Sequence, residues 1–208
     1  MPTRRQLLLN LASASAAAAF LPRLALPSST EIEIIPEPHC LSEESARGYR
    51  SLVEANRRTN APFIILPASR QLTYESAKAL LRRVQRGWWL VLESGVAYSS
   101  PEETSRQGRI LAGVFGLNVH RPIAVSPREA SYVTYTYPQR TMVRTFGAIT
   151  PITCSPAERI AEFAGITVAS WRRVGSGGGI IFLGSILGAG LLAREREAYE
   201  AGSALLRA

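Results

Sequence analysis

An alternation of strand patterns with helical patterns constrains the fold of this chain more than any other feature. Strand patterns occur at 31–35, 63–66 and 88–92, and helical patterns occur at 41–58, 73–87 and 100–116. The short apolar runs are typical of strands that are buried on both faces of a parallel sheet. Because the connections are short, we predict an α/β fold of three layers, in which helices cover a mainly parallel sheet.

The helical patterns carry start and stop signals that place their ends. Ser42 and Thr73 are the predicted N-caps of the first two helices, and Gly87 ends the second. The third helix begins with a capping box at Ser100–Glu103, which has proline at the first helical position. We expect it to end at Gly116.

The second half of the chain has a different pattern, which predicts an antiparallel addition to the sheet. Strands are predicted at 121–125, 132–137, 141–146, 167–174 and 180–183, and helices at 155–165 and about 190–206. Pro138 marks the turn of the first hairpin, and the glycine run at 175–179 joins the second. The helix at 155–165 is predicted from a second capping box, which begins at Ser155.

The N-terminal segment has the composition of a removable export signal. Arg4 and Arg5 precede an apolar run that is too short to span a bilayer comfortably. This arrangement resembles the twin-arginine motif, so we predict a signal peptide at 1–27 and a single domain at 28–208. The resemblance implies that the twin-arginine translocase is a partner during export, and that the location is periplasmic or secreted. An uncleaved signal that tethers the chain remains an alternative.

Composition excludes several chemistries. The chain contains no aspartate, which removes Ser-His-Asp triads, aspartic dyads and aspartyl-phosphate transfer. The formal net charge is +8, but the arginines are scattered among glutamates, which argues against a nucleic-acid partner. No cofactor is predicted, because the glycine run at 175–179 lacks the Gly-Lys-Ser/Thr ending of a phosphate loop.

The chain has two cysteines, Cys40 and Cys154. In an oxidising compartment, two lone cysteines most simply form one disulfide, and two free thiols are the alternative. The same cysteines with His39 and His120 are the candidates for a metal or Cys-His site. The spacing of known metal motifs is missing, so we predict no metal.

Polar residues at the carboxyl ends of the predicted strands form the candidate ligand site, because α/β folds bind ligands there. The candidates are Ser69, Arg70, Glu93, Ser94 and Ser185. Glu93 either contacts a ligand or makes a structural hydrogen bond. A nucleophilic Ser94 beside Glu93 is the alternative, an exported hydrolase, although the Gly-x-Ser-x-Gly motif is absent.

Two further segments are candidates for binding. The backbone amides of Gly184–Gly190, between a strand and a helix, either hold an anion or permit close packing. Tyr132, Tyr135, Tyr137 and Phe146 form an aromatic hairpin, in which Tyr132 points away from Tyr135. The hairpin either docks a sugar or a partner chain, or packs within the fold.

Three segments resemble the glutamine-amidotransferase-like superfamily. They read FIILPASRQLTYESAKALLRRVQRGWWLVLESG, RILAGVFGLNV and ITVASWRRVGSGGGIIFLGS. The resemblance is narrower to non-catalytic relatives, such as the trimerisation domain of some bacterial β-galactosidases. It implies a flavodoxin-like sheet.

The departures from that superfamily bear on function. Its active members carry a nucleophilic cysteine in a Gly-x-Cys-x-Gly turn after a central strand, with a histidine and a glutamate near the C-terminal end. Here the turn reads Glu93-Ser94-Gly95, and no histidine follows His120. The resemblance therefore implies no catalytic residues, and a module that binds a small molecule or a protein. A homo-oligomerisation module is a further alternative.

Overall fold

The computed structural model describes residues 31–56, 59–95, 100–126, 130–175 and 177–207. The predicted signal at 1–27 lies outside them. The helices are α1 (Cys40–Ala55), α2 (Tyr74–Gln85), α3 (Pro101–Ile110), α4 (Leu187–Leu192) and α5 (Arg196–Leu205). A π-helical turn at Leu111–Phe115 continues α3, and a 3-10 turn occupies Pro156–Glu158.

A mixed sheet of eight strands forms the middle layer, which confirms the α/β prediction. The strands are β1 (Ile32–Ile34), β2 (Phe63–Ser69), β3 (Trp89–Ser94), β4 (Asn118–Val119), β5 (Ile123–Ala124), β6 (Tyr132–Tyr135), β7 (Thr141–Arg144), β8 (Ala148–Ile149), β9 (Ile152–Thr153), β10 (Arg159–Phe163), β11 (Ile166–Val174) and β12 (Gly178–Leu183). The sheet order is β1-β2-β3-β12-β11-β10-β6-β7. Its first four strands are parallel and the others pair antiparallel. Two short pairs, β4–β9 and β5–β8, lie outside it.

Alternate residues of the parallel strands face two separate cores. Ile65 and Val91 belong to a cluster that α1, α4 and α5 cover, whereas Ile64 and Leu90 face the cluster under α2 and the π-helical turn. Burial on both faces explains why these strands are apolar without interruption. The helices therefore lie in two layers, one on each side of the sheet.

The predicted caps are partly confirmed. The Oγ1 of Thr73 accepts a hydrogen bond from the backbone N–H of Ser76 at 3.2 Å, and the Oγ of Ser100 accepts one from Glu103 at the same distance. The first helix is different, because Nδ1 of His39 is its cap. The hydroxyl of Ser42 donates instead to the carbonyl of Pro67 at 2.7 Å, which ties α1 to β2.

The helix predicted at 155–165 is wrong beyond its first turn. The capping box of Ser155 and Glu158 forms, but it encloses one 3-10 turn only. The chain then continues as β10, which pairs with β11 and β6 and buries Ile160. Strand pairing on both sides outweighs the local helical signal.

The last predicted helix is divided into α4 and α5. The break lies at Arg194, whose φ of +59° is left-handed, a conformation that arginine rarely adopts. The amide of Glu195 donates to the carbonyl of Gly190 at 2.9 Å across the break. Nothing in the local sequence marks this position as a helix end.

Cys40 and Cys154 are free thiols, so the predicted disulfide is not formed. Cys40 begins α1, which covers one face of the sheet. Cys154 follows β9, whose Ile152 packs into the core on the opposite face. The two cysteines therefore adjoin elements that pack on opposite faces of the sheet, whereas a disulfide requires Cα atoms within about 7 Å.

Candidate functional site

Glu93, the central candidate, is fully buried and accepts four hydrogen bonds. Its Oε2 accepts from the hydroxyl of Ser45 at 2.5 Å and from the amide of Ala68 at 2.8 Å. Its Oε1 accepts from the amide of Gly188 at 2.7 Å and from the hydroxyl of Tyr49 at 3.2 Å. A carboxylate has about four lone-pair sites, so these donors use its whole capacity.

The local backbone is shaped around this carboxylate. Register with β3 shifts between Leu66 and Ser69, which allows β2 to continue through Pro67. Ala68 adopts a φ of +43° in this bulge, and its amide donates to Glu93. At Gly188 an added Cβ would collide with the side chain of Ser45, so only glycine permits this approach of α4 to α1.

Burial dominates the electrostatics of the cluster. Desolvation raises the pKa of Glu93 above its ordinary value, although the hydrogen bonds from Ser45, Gly188, Ala68 and Tyr49 oppose this shift. Burial and the neighbouring carboxylate also raise the pKa of Tyr49. The cluster joins β2, β3, α1 and α4, and its chemistry is that of a satisfied internal carboxylate.

Ser94 and Ser185 are both buried. The Oγ of Ser94 lies 3.0 Å from the Oγ1 of Thr150. Thr150 lies between β8 and β9, and its amide donates to the carbonyl of Gly184, just after β12, at 2.7 Å. This hydrogen bond holds the loop that contains Thr150 at the end of β3. The ring of His39 accepts a hydrogen bond from the amide of Ser42, and the ring of His120 is hydrogen-bonded to Thr153. Neither of these hydrogen bonds involves Glu93 or Ser94. Among the described residues, the Ser94 hydroxyl is therefore hydrogen-bonded to Thr150, while the four hydrogen bonds of the Glu93 carboxylate come from other residues, and none of these contacts pairs Ser94 with a general base.

Ser69 and Arg70 contact a second carboxylate, that of Glu37, which the sequence analysis did not identify. The hydroxyl of Ser69 donates to its Oε1 at 2.6 Å, and the amides of Arg70 and Gln71 donate to its Oε2 at 2.6 Å each. The Nε2 of His39 lies 3.5 Å from the same Oε2. The sequence signal that was available is the run Pro36-Glu37-Pro38, which places a carboxylate just beyond β1.

A basic groove lies beside α3. It has a volume of about 830 Å³ and is lined by Pro101, Thr104, Ser105, Gly108, Arg109, Ala112, Val119, His120, Arg121 and Pro122. Arg109, His120 and Arg121 are exposed, and neither arginine forms an ion pair with a carboxylate of the described residues. The Nε2 of His120 lies 2.6 Å from the Oγ1 of Thr153. The groove offers unpaired cations at a concave surface.

The aromatic hairpin has the predicted alternation. Tyr132 is exposed while Tyr135 is buried in the core. Tyr137 stacks on Trp171 with ring centroids 5.2 Å apart, and the Arg144 guanidinium lies over the ring of Phe146. These contacts assign Tyr135 and Tyr137 to packing within the fold.

Two properties concern the described residues as a whole. Their His, Cys and Glu side chains form no group of three or more that is suited to a metal ion. Within the same residues, no helix combines the length and the hydrophobicity needed to cross a bilayer.

Comparison with known proteins gives similarity at the level of structure. No family model matches the chain, and no curated protein matches it. An exo-β-1,4-mannosidase from Opitutaceae bacterium strain TAV5 matches with a TM-score of 0.62 and 16% identity, over 97% of this chain and 39% of the enzyme. A β-galactosidase from Bacillus circulans sp. alkalophilus matches with a TM-score of 0.57 and 14% identity, over 85% and 31%.

A GH42 β-galactosidase from G. stearothermophilus matches with a TM-score of 0.54 and 16% identity, over 85% of this chain and 30% of that enzyme. The chain thus spans between 30% and 39% of the length of these three enzymes. At such low identity the similarity concerns the fold alone. This chain has the fold of one part of those glycosidases.

Proposed function

We propose that this chain is an exported, non-catalytic α/β domain that binds a small anionic molecule in the basic groove. The observation that carries the proposal is that the charged group at the strand end has partners within the protein, whereas the arginines of the groove have no ionic partner among the described residues. Glu93 at the strand end has all its hydrogen-bonding capacity satisfied, while Arg109 and Arg121 in the groove have no ionic partner among the described residues. Unpaired arginines at a concave surface favour carboxylate or phosphate groups.

The size of the groove supports a small-molecule ligand. Ligand sites are usually about 300–1,000 Å³ and combine apolar walls with a few polar groups. The groove falls within this range, and Thr104, Ser105 and His120 add hydrogen-bonding groups to its two arginines.

The alternative of an exported hydrolase receives no support from the strand ends. Catalysis by Ser94 needs a base within hydrogen-bond reach and an open position for the substrate. Ser94 is buried and its hydroxyl contacts Thr150. An oligomerisation module calls for a wide apolar face, and the exposed large apolar residues described are distributed over five elements. They are Tyr74, Tyr132, Met142, Ile166 and Leu192.

The proposal is tested by thermal unfolding of the full chain with citrate, glucuronate and inorganic phosphate, and with galactose as the uncharged comparison. A ligand at a hundred times its Kd stabilises the folded state by about 2.7 kcal/mol. We expect stabilisation by at least one anion, and its loss in Arg109→Gln and Arg121→Gln. Arg47→Gln, which changes an exposed arginine on α1, is the matched control.

Two results would contradict the proposal. One is the absence of stabilisation by any of the three anions. The other is hydrolysis of nitrophenyl esters or glycosides that Ser94→Ala abolishes while the protein remains folded. Export is tested separately by cell fractionation, in which replacement of Arg4 and Arg5 by lysine should retain the chain in the cytoplasm.

A further inference from the structure

The carboxylate of Glu37 occupies a site that is built like an anion receptor. We call it the β2 nest, and it consists of the Ser69 hydroxyl, the Arg70 and Gln71 amides, and the Nε2 of His39. The first three groups donate to Glu37 at 2.6 Å each. Successive backbone amides that converge on one point form a common anion-binding arrangement in proteins.

His39 supplies an independent indication that this arrangement recognises an anion. Its Nδ1 accepts a hydrogen bond from the amide of Ser42 at 3.1 Å, so in the neutral ring the proton lies on Nε2. The side chain is only 9% exposed, and Nε2 makes no hydrogen bond within the described residues. It is 3.5 Å from Oε2 of Glu37, too far for a good hydrogen bond. A buried donor therefore points at the carboxylate position without being satisfied by Glu37.

An apolar cavity adjoins the nest. It has a volume of about 360 Å³ and is lined by Ile35, Glu37, Leu66, Gln71, Leu72, Ser76, Ala79, Leu80 and Arg83. Gln71 belongs to both the cavity and the nest, and Glu37, whose carboxylate occupies the nest, also lines the cavity. The Arg83 guanidinium is already paired with Glu33 and lies over the ring of Trp88, 4.1 Å from its centroid. The free space is therefore mainly aliphatic, with the anion receptor at one end.

We propose that the β2 nest and this cavity form a second binding site, for a short aliphatic carboxylate, and that Glu37 closes the site in cis. The ligand carboxylate takes the position of the Glu37 carboxylate, and its aliphatic chain fills the cavity. This site is distinct from the basic groove, and it stands or falls independently of the function proposed for that groove.

The carboxylate of Glu37 occupies the position proposed for the ligand carboxylate and therefore competes with the ligand, whereas Glu93 is part of the fold and does not. The backbone amide of Glu37 donates to the Oγ of Ser42 at 2.8 Å, which anchors the main chain independently of the carboxylate. Within the described residues, the hydrogen bonds to the Glu37 carboxylate come from one segment, 69–71, and the side chain is 12% exposed. A site that is free in a tenth of the molecules or fewer binds its ligand about tenfold or more weakly than the open site. Removal of the Glu37 carboxylate should therefore strengthen ligand binding by about the same factor.

The test is binding of hexanoate to the full chain, by calorimetry, with hexanol as the uncharged comparison. We expect Glu37→Ala to bind hexanoate at least about tenfold more tightly than the wild type, and hexanol no better. Addition of Ser69→Ala should weaken that binding again. Glu54→Ala, which removes an exposed carboxylate on α1 away from the nest and the cavity, is the matched control and should behave as the wild type.

N-acetyl-leucine separates the two sources of such a carboxylate, a free acid or the end of a peptide. Tighter binding of N-acetyl-leucine than of hexanoate indicates a peptide C-terminus, and the reverse indicates a free aliphatic acid. Arg109→Gln should leave both affinities unchanged, which distinguishes this site from the basic groove.

The proposal is overturned if folded Glu37→Ala binds hexanoate no better than Glu54→Ala. If Glu37→Ala does not fold, Glu37→Gln takes its place, because it keeps the side-chain volume and loses the charge. If neither folds, the amide signals of Arg70 and Gln71 in the wild-type chain decide. Hexanoate should shift them in a two-dimensional NMR titration, and unchanged signals overturn the proposal.

Discussion

The Glu93 cluster and the basic groove both contain charged groups, and they differ in what neutralises the charge. Glu93 has four donors from three other elements and no contact with solvent. Arg109 and Arg121 face open space and have no ionic partner among the described residues. A charged residue at a strand end is therefore a poor guide to ligand binding until its partners are known.

The Glu93 cluster and the basic groove should differ most in how much folding stability is lost when the charged group is removed. Glu93→Ala leaves four buried donors without an acceptor, and the loss of one member of a buried charged network costs about 3–5 kcal/mol. We expect a loss of that order in the free energy of unfolding, measured by urea denaturation of the full chain. Arg109→Gln should change it by less than about 0.5 kcal/mol. Equal effects of the two substitutions would contradict the contrast.

Gly188 provides the next largest effect. Gly188→Ala places a methyl group against the side chain of Ser45, and overpacking of a core typically costs about 1–3 kcal/mol. Gly113 is the matched control, because an added Cβ there meets no atom within 4 Å. Urea denaturation of both variants measures the difference. Stability of Gly188→Ala at the level of Gly113→Ala would show that α4 does not depend on contact with α1.

The protonation of Glu93 predicts how stability depends on pH. Because the pKa in the folded state is raised above the ordinary value of 4.5, the folded protein holds this proton more tightly than the unfolded chain. The resulting stabilisation is complete below pH 4.5 and is lost as the pH rises through the folded pKa. We expect the stability of the wild type relative to Glu93→Gln to fall with rising pH in this range. A relative stability that increases with pH would show that the hydrogen bonds outweigh burial.

The cysteines provide the smallest effect, on labelling rates alone. Cys40 is exposed, whereas burial raises the pKa of the Cys154 thiol. Since the thiolate is the reactive form, a maleimide should label both residues in the unreduced protein, with Cys40 faster. Mass spectrometry after timed labelling measures the order. An unlabelled protein that reacts only after reduction would restore the disulfide prediction.

The sequence predicted the parts of the fold in which local pattern and tertiary pairing agree. β2, α2 and β3 follow from short apolar runs, the Thr73 cap and the Gly87 turn. At 159–163 the local pattern and the tertiary pairing disagree. The capping box at Ser155 forms and predicts a helix, but the residues that follow it pair with two strands. The break at Arg194 depends on packing that has no local signature.

The sequence predicted where Glu93 lies in the fold, but not which residues surround it. Glu93 was identified from its place at a strand end, yet Ser45 and Gly188, which satisfy it, are 48 and 95 residues away along the chain. Glu37 was missed because a lone carboxylate in a proline-flanked loop has no motif. Partners that are distant in sequence decide whether a polar residue serves stability or binding.

The contrast between the Glu93 cluster and the basic groove is tested most directly by a two-dimensional amide NMR titration of the full chain with citrate. We expect the signals from residues 108–112 and 119–121, beside the groove, to shift progressively. The amides of Ala68 and Gly188, which donate to Glu93, should stay fixed. Shifts at Ala68 and Gly188, with no change along the groove, would show instead that citrate binds at the strand ends.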